Sequence, residues 1–240
     1  MLLLYAFVIV LAAAAVQAVT GFGFALIAVP LLTLATEPRT AVVASGIAGL
    51  SMTVMAAIRE RDHARWRVAG ALLAAAALGM PVGLLVLRAA PERTLTALIG
   101  VAVVGCALPI WRGLRLPSNR PAVFGVGLVA GVLSTSTGTN GPPLVAAFQA
   151  MGFDPRTFRA TLAAVFSGSG TLSLAGFFLA GQVTADAARV GLIGVPAVLL
   201  GWWAGNLVFH RIDPGRFRRV VLAALVAGGA ILTVRALSGG

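Results

Sequence analysis

A chain of 240 residues, 59% hydrophobic and 10% charged, falls far from the roughly 25% charged composition of soluble domains. Its mean hydropathy of +0.99 excludes a water-soluble globule and predicts an all-α integral membrane protein. A formal charge of +11 would point to nucleic acid if it lay over a soluble core. Here the arginines occupy short gaps between apolar blocks, where they set topology, so no nucleic-acid partner is expected and the lipid bilayer is.

Eight apolar blocks follow one another: 2–35, 41–58, 68–87, 95–111, 122–151, 160–181, 190–209 and 220–234. Residues 1–20 lack a positive n-region and run on apolar to Ala35, so a retained span is expected rather than a cleaved leader. Six blocks are close to, or a little shorter than, the ~20 residues that cross a ~30 Å hydrocarbon core. The first and fifth are much longer, and each holds a glycine-bearing interruption, Gln17 to Phe24 and Ser134 to Pro143. Each long block is therefore expected to be a helix folded back into a shorter one, 2–19 followed by 22–35 in the first case, for up to ten segments in all.

The arginines test this. If every block crosses once, the 18 arginines divide evenly between the two sides. If blocks one and five turn back, one side collects 59, 61, 65, 67, 112, 115, 120, 156, 159, 211, 216, 218 and 219, and the other only 39, 88, 93, 189 and 235. The second arrangement restores a positive-inside bias and places both termini outside the cytoplasm.

An internal repeat points the same way. A shift of 117 lays Gly21 on Gly138, Glu37 on Asp154, Pro38 on Pro155 and Arg39 on Arg156; a five-residue insertion then lays Gly79 on Gly201 and Gly83 on Gly205. The expected architecture is one integral membrane domain of two inverted repeats, 1–118 and 119–240, each a broken first segment followed by three transmembrane helices, as in many secondary transporters. Asp154-Pro155 reads as an N-cap followed by proline at the first helical position, and Glu37-Pro38 copies it less well. Gly79/Gly83 and Gly201/Gly205 are spaced for close helix packing.

Catalytic chemistry finds no footing. The seven acids all lie in gaps or helix starts, and no Ser, His and Asp constellation is suggested. The lone Cys106 can form no disulfide within one chain, and His63 and His210 have no second ligand at metal spacing, so no metal, cofactor or enzymatic activity is expected. Transport finds more. At Thr137-Gly138-Thr139-Asn140-Gly141-Pro142-Pro143 a hydroxyl or amide can cap a helix beginning at the prolines, and such a helix start at membrane depth favours an anion. The candidate site is Gln17, Gly21, Phe22, Gly23 and Phe24 from the first interruption, Ser136, Thr137, Gly138, Thr139, Asn140, Gly141 and Pro142 from the second, and Ser167 from the following block. Ser134, Thr135, Ser169 and Thr171 are further hydroxyls able to line it, and tight helix packing is the competing reading of all these small residues.

The phrase Gly138-Thr139-Asn140-Gly141-Pro142-Pro143-Leu144, followed by Asp154-Pro155-Arg156 and Arg159-Ala160-Thr161, with Gly21-Phe22-Gly23-Phe24 and Pro30-Leu31-Leu32 before it, resembles the TauE/SafE family of membrane transporters over nearly the whole chain. The resemblance implies a multi-pass protein of a bacterial inner membrane, a permease or exporter for sulfur-containing anions such as sulfite, sulfonates or sulfoacetate. It implies substrate near Gly21, Gly23, Gly138, Asn140, Gly141 and Pro142. Where the family often has a denser glycine run, this chain has Phe22 and Phe24, which would narrow the site. Alternating access about the paired half-helix starts is the expected mechanism; the alternative is a non-transporting membrane subunit or an anion channel assembled through small-residue faces, which also suit a homo-oligomer.

Overall fold

The computed structural model describes residues 2–112 and 120–209, with 230, 233 and 234 beyond them. Nine α-helices occupy the described residues: α1 (Leu2–Thr20), α2 (Phe24–Thr33), α3 (Pro38–Glu60), α4 (Trp66–Ala89), α5 (Glu92–Arg112), α6 (Arg120–Ser136), α7 (Gly141–Ala150), α8 (Pro155–Leu179) and α9 (Ala185–Phe209). Four helices, 38–63, 66–89, 155–179 and 185–205, are long and apolar enough to cross a membrane. The eighth apolar block, the expected boundary at 118/119, His210 and the arginines from 211 onward fall outside the described residues, the helical positions 230, 233 and 234 apart.

Both long blocks break where the glycines stand. Gly21 (φ +79°), Gly23 (φ +105°) and Gly138 (φ +71°) occupy the left-handed region, which a Cβ disfavours, and α2 and α7 pack back on α1 and α6 respectively. The second members have 10 residues each, shorter than the expected 22–35, because the glycine turn consumes the first residues and α2 stops at Thr33.

Packing interlocks the earlier and later helices of the described chain. The most extensive helix pairs are α4 with α6 and α1 with α9. In the first pair a Cβ built on Gly79 would meet the Leu128 carbonyl, and one on Gly83 the Val132 carbonyl. In the second, Gly201 faces the Leu11 carbonyl and Gly205 the Ala15 carbonyl. The backbones thus approach through glycine, as small residues allow inside a bilayer. Between these pairs α3 and α8 run antiparallel, with Gly46 against Phe177, Gly170 against Leu50, and Glu60 paired to Arg159.

Asp154 caps α8 as its sequence predicts: its carboxylate accepts the N–H of Arg156 and of Thr157, each at 3.1 Å. Glu37 makes no such bond at α3. Hydrogen bonding by Thr157, side chain and backbone, lowers the Asp154 pKa below its ordinary value of 3.8. A lowered folded-state pKa stabilises above the unfolded value and loses that contribution as pH falls through the folded one. Asp154→Ala is therefore expected to lower the melting temperature at neutral pH, and the gap to wild type should close as pH drops below the carboxylate range. Melting curves across pH 2–7 check this; a constant gap would refute the cap.

Candidate functional site

Ten residues at 1.5 Å each make α2 and α7 about 15 Å long, half of the ~30 Å hydrocarbon core. A helix of that length with one end at the surface begins near mid-depth. Both begin at one cavity, lined by Gly23, Phe24, Ala25 and Leu26 from the first break and Gly138, Thr139, Asn140 and Gly141 from the second. Gln17, Ser45, Gly46, Gly49 and Thr53 close it on the first side, and Ser134, Phe166, Ser169, Ser173 and Phe177 on the second. Its free volume is about 90 Å³, enough to admit water or a small anion.

The two helix starts differ in what they offer. At α2 the Gln17 side-chain oxygen accepts the Phe24 N–H at 3.0 Å, reaching across the glycine turn. The N–H groups of Ala25 and Leu26, next in the helix, have no carbonyl of their own helix to reach. At α7 the second and third residues are Pro142 and Pro143, which carry no N–H, so Gly141 supplies the only backbone donor among the first three residues. Side chains stand in for the missing donors. Asn140 Nδ2 donates to Ser169 Oγ at 3.0 Å and to Ser134 Oγ at 3.4 Å, and Ser134 shares a bond of 2.9 Å with Ser173. Asn140 thus holds the N-cap position without capping α7 through its side chain; its amide is spent across the gap to α8.

Among the described residues no charged side chain lines this cavity. An anion there would meet the positive ends of two helix dipoles, backbone N–H groups and hydroxyls, which suffice for binding when water is excluded. One further polar atom of the lining stands without a partner. Ser45 is 3% exposed, lines the cavity, and its Oγ has no hydrogen-bond partner. A buried unpaired hydroxyl costs about 1–3 kcal/mol, so its retention calls for an explanation.

Of the residues singled out from sequence, Gln17, Gly23, Phe24, Gly138, Thr139, Asn140 and Gly141 meet at this cavity. Gly21 instead lines a smaller adjoining one, and Phe22 packs between two apolar clusters. Ser136 and Thr137 turn their hydroxyls back onto the Val132 and Leu133 carbonyls of α6. Pro142 and Ser167 do not line the cavity. Sequence reading missed Ser45, Thr53, Phe166 and Ser173, although Ser45, Gly46, Gly49 and Thr53 on α3, and Phe166, Ser169, Gly170, Ser173 and Phe177 on α8, form helical-period stripes.

The two arginines aligned by the 117-residue shift, Arg39 and Arg156, have different surroundings. Arg39 donates to the carbonyls of Leu87 at 2.9 Å, Ala90 at 2.7 Å and Arg88 at 3.4 Å, closing the end of α4. Arg156 forms no ion pair among the described residues.

Comparison with known proteins agrees with this arrangement in length and class. The chain is 30% identical over 177 residues to a probable inner membrane transporter protein TsaS of Comamonas testosteroni, covering 70% of this chain and 72% of that protein. It is 29% identical over 235 residues to a probable sulfite/organosulfonate exporter TauE of Cupriavidus necator, covering 92% of this chain and 90% of that protein. No solved structure matches it. The family described as Sulfite exporter TauE/SafE matches residues 6–232, and with α2 and α7 set at one uncharged cavity inside an apolar bundle, the chain belongs to that family of membrane transporters.

Proposed function

We propose that the chain is a secondary transporter of a small sulfur oxyanion, sulfite or a compact organosulfonate, held between the starts of α2 and α7. The substrate class rests on the printed descriptions of the family and of the Cupriavidus protein, and the site on the cavity. The observation that carries the site is the unpaired, buried Ser45 hydroxyl in an uncharged cavity at two helix starts.

Alternating access follows if the two halves are inverted copies. The contacts support that reading, since Leu128 and Val132 are Leu11 and Ala15 shifted by 117, so that Gly79/Gly83 on α6 and Gly201/Gly205 on α1 are the same interface made twice. Phe24 over Gly49 and Phe166 over Gly141 are likewise one contact with aromatic and glycine exchanged. Two such interfaces let one half rock against the other about a fixed site. The arginine bias supports a topology with the joined ends of α3 and α8, with Arg59 and Arg159, on the cytoplasmic side and both termini opposite.

The test is flux of labelled sulfite and methanesulfonate in proteoliposomes, for the wild type and Gly138→Leu. Leucine at φ +71° beside Val29 Cγ2, 3.2 Å from a built Cβ, is expected to stop transport. Sulfite flux equal to wild type would sink the site, and absence of flux for every sulfur oxyanion in the wild type would sink the function. A reporter fused after Gly240 should score as non-cytoplasmic; a cytoplasmic score would overturn the inverted arrangement.

A further inference from the structure

A second polar space lies outside the central cavity, at the joined ends of α3 and α8. It is a vestibule of about 380 Å³ lined by Arg59, Glu60, His63, Pro155, Arg156 and Arg159. Among the described residues three arginines and one carboxylate line it. Between vestibule and site lies a narrow space of about 30 Å³. It shares Glu60 and Arg159 with the vestibule, and Gln17, Thr53 and Phe166 with the central cavity. The three spaces thus adjoin in turn, each sharing wall residues with the next.

Arg159 sits at the junction. Its Nη2 is 3.4 Å from Glu60 Oε1, with the two side chains 40% and 32% exposed. Its stem covers the first glycine break, so that a Cβ on Gly21 would meet Arg159 Cγ at 3.2 Å. Arg59 is turned aside, its guanidinium carbon 4.9 Å from the Trp202 ring centroid, and Asp62 pairs at 3.7 Å with Arg61. Among the described residues Glu60 is therefore the one carboxylate that lines the vestibule, and it is spent on the arginine nearest the narrow space.

At the second break the described residues at the matching position are apolar. By the 117-residue shift Arg159 corresponds to Val42, and Val42 indeed packs at the second break, where a Cβ on Gly138 would meet Val42 Cγ1 at 3.8 Å. Val42 belongs to an apolar cluster with Leu26, Val29, Leu87 and Phe177. One end is closed by hydrocarbon and the other by an ion pair. An ion pair, unlike hydrocarbon, has a competitor in any anion that arrives.

We propose that the vestibule is a second oxyanion-binding station, in which Glu60 occupies Arg159 as an internal competitor that an entering anion displaces. The anion exchanges one partner of Arg159 for another, so the guanidinium stays paired throughout. What is lost is the bridge between α3 and α8, and with it the cover over the narrow space leading to Phe166. Arrival of substrate at the mouth thereby loosens the contact that shuts it. This rests on the transporter reading for its physiological ligand, while the station itself requires only oxyanion binding.

The experiment is calorimetric titration of sulfite into purified protein in phosphatidylcholine nanodiscs, where no anionic headgroup competes. Glu60→Gln is expected to tighten binding about two- to fivefold, the scale of a partly exposed ion pair. Arg159→Gln should weaken binding, and adding Glu60→Gln to it should restore nothing. The tightening should persist in an Asn140→Ala background, which separates the station from the central site. An unchanged Kd in Glu60→Gln, or a tightening that survives without Arg159, overturns the proposal. So does tightening toward phosphatidylglycerol with none toward sulfite, which would assign the vestibule to a lipid headgroup. Loss of flux in liposomes with this binding pattern intact would instead count against the transporter reading alone.

Discussion

Gly83→Ala is expected to destabilise the protein by about 1–3 kcal/mol, the usual range for overpacking, and Gly83→Leu to abolish recovery of folded material. A Cβ at this position would collide with the Val132 carbonyl and the Thr135 hydroxyl, and neither is the free end of a flexible chain. The Thr135 hydroxyl donates to the Met80 carbonyl of α4 at 2.8 Å, with the Gly131 carbonyl of its own helix the more distant alternative acceptor at 3.2 Å, so displacing it also breaks an interhelical bond. For a chain of this size each kcal/mol shifts the melting temperature by roughly 2–4 °C. The control lies in the same two helices. Gly70 in α4 and Gly125 in α6 have nothing within 4 Å of a built Cβ, and alanine there should be neutral or stabilising by up to ~1 kcal/mol through helix propensity. Size-exclusion melting curves decide; if Gly83→Ala and Gly70→Ala melt together, the backbones of α4 and α6 are not in contact as described.

That contrast shows what was legible in the sequence. Gly79/Gly83 and Gly201/Gly205 announce close approach by their spacing alone, and the structure supplies the faces they meet. The two chain breaks were equally legible, because Gly21-Phe22-Gly23 and Gly138-Thr139-Asn140 put left-handed formers and polar groups into blocks too long for one crossing. The pairing of α1 with α9 and of α4 with α6 was not, since nothing local to Leu11 or Leu128 names its partner. The polar lining was half visible. Asn140 stands out in any reading, but its amide bonds Ser169 on another helix rather than its own N-terminus, a choice set by tertiary placement. Ser45 and Thr53 lie in an ordinary apolar helix, where hydroxyls commonly bond the carbonyl of the preceding turn, as Thr53 does with Leu50 at 3.1 Å. Only packing shows that Ser45 does not. Arg159 and Glu60 are about 100 residues apart in sequence, and an arginine at a helix end is what topology alone requires.

Ser45→Ala is expected to move stability and function in opposite directions. Alanine removes a hydroxyl that is buried and unpaired, so the folded protein should gain up to about 1–3 kcal/mol and melt several degrees higher. If the hydroxyl instead donates to a bound oxyanion, its loss should lower kcat/KM for sulfite roughly tenfold or more, the scale of a hydrogen bond to a charged group. A site that carries a destabilised donor in the absence of its ligand is expected to show this divergence. Asn140→Ala should lower flux at least as much, but with a loss of stability, because it leaves Ser169 without its bond of 3.0 Å and opens the Ser134 pair. The two variants thus share a functional sign and differ in a structural one. Melting curves and proteoliposome flux on the same preparations test both; a Ser45→Ala protein that is more stable and transports as well as wild type would remove Ser45 from the site.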